Sequence, residues 1–135
     1  MGVMSRSRKF LLQCRYAADA NGRPLEENLE DLGLGSHFDA EHAAWIRDLG
    51  RVTARHRDDL DREIESVLEN WRLERLNTIT RLILEQALAE VRYGDTPAAV
   101  AIDEAIRLAG EFEEEGAGSF VNGVLDRLVG TGSRG

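Results

Sequence analysis

Apolar residues recur along this chain at intervals of three and four, and strand-like alternation is scarce, so the pattern predicts helices throughout. A first helix starts near Ser5 or Ser7 and stops at Asn21-Gly22, with Pro24 beyond as a breaker. Its wheel puts Phe10, Leu11, Cys14, Ala17 and Ala18 on one side. Lys9, Gln13 and Tyr16 fall on the other, with Leu12 and Arg8 beside them. A short helix around Leu25–Leu32 ends at Gly33, and Gly33-Leu34-Gly35-Ser36-His37 reads as a loop. That loop lacks the preceding strand of a dinucleotide or P-loop phosphate site. Asp39 caps a long helix running toward Trp71, with an apolar stripe from Trp45 to Trp71 that His56 interrupts. The charged run from Arg55 to Arg62 is the solvated face of that helix.

Asn77 caps the next helix, which ends at Gly94. Ile79, Ile83, Leu84, Ala87, Leu88 and Val91 form one apolar face, while Leu82, Ala89 and Tyr93 form a second stripe bordered by Glu85, Gln86 and Glu90. A helix apolar on two sides is either central to a bundle or offers one side to a partner. Thr96-Pro97 reads as an N-cap followed by proline at the first helical position, opening a helix apolar from Ala101 to Phe112. An acidic, glycine-bearing connection leads to a last helix from about Ser119 to Val129. Phe120 sits at the edge of its core face, where an aromatic is either packed or half exposed for stacking. Asn122 and Asp126 share the opposite face, with Gly123 admitting the close approach of another backbone. Residues 1–8 and 131–135 are expected to fray.

With 135 residues the chain fits a single all-α domain over its whole length, and 42% hydrophobic residues suffice for a core. The net charge of −8 argues against generic nucleic-acid affinity and leaves only a local basic patch. One patch exists: Arg6, Arg8 and Lys9 lie beside Gln13 and Tyr16. Cations next to an exposed aromatic and an amide are the ingredients of a single-stranded RNA surface, though a solvated helix carries the same residues. The lone Cys14 forms no intrachain disulfide and points to a reducing compartment. No apolar run approaches membrane length or a signal peptide, so the expected location is the cytoplasm. His37, His42 and His56 lack metal-ligand spacing and no nucleophile elbow is present. The expectation is a non-enzyme without metal or cofactor.

Specific motifs add to this. The middle of the chain carries Leu73, Arg75-Leu76, Ile79, Leu84, Ala87 and Glu90. The end carries Thr96-Pro97, Val100-Ala101-Ile102, Glu104-Ala105, Leu108-Ala109, Phe112 and Phe120-Val121-Asn122-Gly123-Val124-Leu125-Asp126, and the start Arg6-Ser7-Arg8, Gln13 and Arg15-Tyr16. In this combination the sequence resembles the NusB family of transcription antitermination factors. The resemblance implies two small helical bundles packed together. It implies binding of boxA-type RNA together with the ribosomal small-subunit protein NusE, within the RNA polymerase antitermination complex of ribosomal RNA operons. It places Arg6, Arg8, Lys9, Gln13, Tyr16 and Phe120 on the RNA side. It gives the helix Asn77–Tyr93 to the protein partner, through Leu82, Glu85, Ala89, Glu90 and Tyr93. Some positions depart from the family pattern. Arg15 replaces an apolar residue, Glu85 stands where arginine is common, Ala89 replaces tyrosine and Gly110 replaces lysine. Lost cations lower RNA affinity. The alternative is a divergent scaffold or homodimer working through the Leu82/Ala89/Tyr93 stripe.

Overall fold

A computed structural model describes residues 2–69, 72–113 and 116–130. Trp71 and the tail 131–135, expected to fray, lie outside the described residues. Eight α-helices occur among the described residues: α1 (Val3–Asn21), α2 (Leu25–Asp31), α3 (Leu34–His37), α4 (Ala40–Arg55), α5 (Arg57–Ser66), α6 (Thr78–Tyr93), α7 (Ala98–Phe112) and α8 (Ala117–Val129). A single 3-10 turn, Leu73–Arg75, precedes α6.

Helix boundaries follow local chemistry where a side chain or a glycine sets them. Gly22 ends α1 at φ 71°, and its N–H donates to the Ala18 carbonyl, so the left-handed residue satisfies an orphan acceptor there. Asp39 caps α4 by accepting from the His42 N–H, and Asn77 caps α6 by accepting from that of Ile79. Several expectations are corrected. Helix α1 begins at Val3, so the stretch expected to fray is helical, with Ser7 and Arg8 buried. The segment Leu34–His37 is a short helix rather than a loop. The long helix is two, broken at His56, where φ −105° and ψ 16° leave the helical region. Thr96 does not cap α7 with its side chain; its hydroxyl donates to Glu90 Oε1 at 2.9 Å instead.

Helix α6 is the hub. It touches α1, α4, α5, α7 and α8, while α7 packs on α8 and α1 packs on α2 and α4. Every residue of α6 from Leu82 to Glu90 is buried. Its two apolar sides are therefore explained by its central position. The core is continuous from Leu11 and Leu12 through Ile46, Leu60 and Ile64 to Leu84, Leu88, Val121 and Leu125. At Gly50, α4 comes so close that a Cβ would stand 2.8 Å from Leu25 Cδ2 and 3.3 Å from Leu11 Cδ1. No helix among the described residues is long and apolar enough to cross a membrane.

Candidate nucleic-acid interface

The buried face of α1 is Ser7, Arg8, Leu11, Leu12, Cys14 and Arg15. Leu12 and Arg8, expected beside the polar face, belong inside. Arg8 and Arg15 lie two turns apart on the side facing α6, and each meets a carboxylate there. Arg8 donates from Nε and Nη2 to both oxygens of Glu90 at 2.7–3.0 Å, with its guanidinium 5.2 Å from the Trp45 ring centroid. Arg15 donates to Glu85 Oε1 at 2.6 Å and to the Leu82 carbonyl at 2.7 Å. A bidentate carboxylate at Arg8, and a carboxylate oxygen with a backbone carbonyl at Arg15, are what allow these guanidinium groups to be buried. Arg15 and Glu85 are thus partners of one another, a cation on α1 opposite an anion on α6.

Around Glu85 the charges extend outward. Arg57 donates to Glu85 at 3.1 Å and to both Asp19 oxygens at 2.8–2.9 Å; Arg81 donates to Glu85 at 3.3 Å and to Asp61 at 2.8 Å. Burial alone would disfavour the Glu85 anion, but a hydrogen bond from Asp61 and the charges of Arg15 and Arg57 hold its pKa below the usual value. Burial and the neighbouring Glu85 push Asp61 the other way, to about 7, against the pull of Arg81. Asp61 Oδ1 is buried without a hydrogen-bond partner among the described residues, so ionising this carboxyl is costly. Because its folded pKa exceeds the unfolded carboxyl value of about 3.9, the stability Asp61 supplies is full below about pH 4 and lost as pH rises through about 7. Urea unfolding should therefore show the wild type losing more stability between about pH 4 and pH 7 than Asp61→Asn, whose amide does not titrate. Parallel curves for the two proteins would show that the proton is not there.

The outer face of α1 carries the stripe Arg6, Lys9, Gln13 and Tyr16, spaced at three and four residues. Tyr16 is 46% exposed. Helices α2 and α3 wall the stripe on one side, forming with it a shallow hollow of about 470 Å³ lined by Phe10, Gln13, Ala17, Leu32 and His37. Arg6 lies 5.6 Å from the Phe38 ring centroid, and Phe38 meets Phe10 edge-on at 5.2 Å. On the opposite side Lys9 Nζ lies 5.8 Å from the Phe112 centroid and 3.8 Å from Glu111. The surface thus offers two cations seated on aromatic rings, an amide and an exposed phenol. Such a set attracts phosphate, bonds base edges and stacks.

Not every expected residue joins it. Arg8, expected at the surface, is 5% exposed and its guanidinium is engaged by Glu90. Phe120 is partly buried and lines a different groove with Val67, Leu68 and Arg127, to which α1 contributes nothing. Gly123 opens on that groove, and among the described residues no backbone of another element comes within 4 Å of where its Cβ would stand. Of the residues expected to face a protein partner, Leu82, Glu85 and Ala89 are fully buried and Glu90 nearly so; Tyr93 alone reaches the surface. Sequence reasoning missed His37 and Phe38 as neighbours of the α1 stripe, since only folding brings them to α1. Phe112 carried a signal, but one that placed it in the core. Cys14 is buried as expected, and burial pushes its thiol up to about 12, which makes it unreactive.

The fold and this surface define a small all-helical protein with a basic and aromatic face set on an otherwise acidic body. Residues 5–130 match the NusB family, and the chain belongs to it. The transcription antitermination protein NusB of Solibacter usitatus is 38% identical over 130 residues, covering 95% of this chain and 89% of that one. Among solved structures, T. maritima NusB superposes with a TM-score of 0.86 at 32% identity, over 92% of this chain and 88% of the other. The fold is also that of a protein in a complex of the antitermination factors NusB and NusE with dsRNA, with a TM-score of 0.79 at 22% identity, over 94% of this chain and 97% of that one.

Proposed function

We propose that this chain is a transcription antitermination factor that binds boxA-type RNA together with NusE and supports ribosomal RNA operon transcription in the RNA polymerase complex. The observation that carries the reading is the α1 stripe, where Arg6 and Lys9 rest on aromatic rings beside exposed Gln13 and Tyr16. The protein acts by affinity and proximity. Holding RNA and a ribosomal protein together raises their effective concentration, so modest individual affinities suffice. Its RNA-contacting residues are Arg6, Lys9, Gln13 and Tyr16, with Phe112, Phe38 and His37 shaping the surface. The scaffold or homodimer alternative loses its stripe, because Leu82 and Ala89 are sealed inside.

The test is binding of a short labelled boxA-like RNA across a salt series, with and without NusE. Lys9→Ala should flatten the slope of log affinity against log salt by about 0.7, one phosphate contact on a single strand. Tyr16→Ala should weaken binding by about 1–3 kcal/mol, the worth of one stacked base. Absence of RNA binding even with NusE present would leave a NusB fold put to protein–protein use.

A further inference from the structure

Four large hydrophobic side chains are exposed among the described residues: Tyr16, Leu32, Tyr93 and Val100. They divide between two surfaces. Tyr16 and Leu32 belong to the RNA-facing side of α1. Tyr93 and Val100 open on a separate groove of about 490 Å³ between α4, the end of α6 and the start of α7. Trp45 and Val52, both partly exposed, form its apolar floor, and Asp48 and Asp95 stand on its rim. Tyr93 is held in place by His56, whose ring stacks on it at 4.0 Å with the planes 12° apart. The groove is preformed, which lowers the ordering cost of occupying it.

Charge selects the occupant. The one cation in the lining, Arg8, is already neutralised by Glu90. Among the described residues, Asp48 pairs only with the exposed Arg51, and Asp95 pairs with no cation. RNA phosphate is repelled by this rim, and a second copy of a chain with net charge −8 brings like charge to it. We propose that the α4/α6/α7 groove docks a cationic segment of a protein partner, which inserts one apolar side chain between Tyr93 and Val100 and sets its lysines or arginines against Asp48 and Asp95. The surface for a protein partner thus lies past the end of α6 and not on its buried middle. This docking goes beyond the RNA reading and does not depend on it.

The probe is a labelled twelve-residue peptide of lysine and arginine with one central leucine. Controls replace the leucine by glycine or every cation by glutamate. Binding is followed by anisotropy and by amide chemical shifts of the protein. Shifts should map to the groove. Affinity should fall at least tenfold in Asp48→Lys/Asp95→Lys, in Val100→Asp and on loss of the leucine, while RNA binding by these variants stays as in the wild type. Both aspartates and Val100 are exposed, so the variants keep their fold, checked by circular dichroism. Lys9→Ala and Tyr16→Ala should leave peptide affinity unchanged even as they weaken RNA binding. Shifts spread over the whole acidic surface, affinity equal in wild type and variants, or groove shifts that track protein concentration or added RNA would each overturn the proposal.

Discussion

Glu85→Ala is expected to destabilise the protein by about 3–5 kcal/mol, because it strands a buried guanidinium. Arg15 is 6% exposed, and its donors face Glu85, Gln86 and the Leu82 carbonyl. Burial already lowers the Arg15 pKa, and the Glu85 charge is the largest influence opposing that. Arg57 and Arg81 keep Asp19 and Asp61 as second partners, so the uncompensated charge is that of Arg15. The double variant Arg15→Met/Glu85→Met should recover most of the loss, since apolar side chains of similar volume replace a buried ion pair at little cost. Urea titrations of the wild type, the single variant and the double variant decide it. A single variant within 1 kcal/mol of the wild type would mean that water reaches Arg15 and that the pair is not sealed.

The second large effect separates stability from recognition. Arg8→Ala should cost about 3–5 kcal/mol of folding stability, because Glu90 is left buried with only Thr96 to donate to it. The folded fraction should bind RNA with the same salt slope as the wild type. Lys9→Ala should do the reverse, leaving stability nearly unchanged, since its ion pair with Glu111 is a long contact between half-exposed groups. The two residues are adjacent in sequence, yet point 100° apart around the helix, one into α6 and one to solvent. A reduced salt slope for Arg8→Ala would return this arginine to the RNA surface.

Much of the site was legible in the chain, and its limits have physical causes. The stripe Lys9, Gln13 and Tyr16 stood on one face by helical spacing alone, and the structure keeps it there. Arg8 was misplaced because residue type was taken as a guide to exposure. Type predicts exposure only while a charge lacks a partner, and the carboxylate that allows Arg8 inside is 82 residues away. Glu85 and Glu90, given to a partner's surface by the resemblance, are buried for the same reason. The break at His56 was visible as an interrupted stripe but was read through as one helix.

By itself the sequence determined what short range decides: all-α character, the caps at Asp39 and Asn77, the stop at Gly22, and the amphipathic faces of α7 and α8. Its motifs also carried the family. Tertiary structure alone decided which charges are buried in pairs and which stay at the surface. Arg8 and Arg15 are spent on Glu90 and Glu85, while Arg6 and Lys9 remain at the surface on aromatic rings. It alone set Tyr93 beside Val100 and separated Phe120 from α1. The physical reason is that burial of a charge is a property of pairs. Helical periodicity reports each residue's own preference, whereas desolvation and Coulomb attraction are settled between residues that only the folded chain brings together.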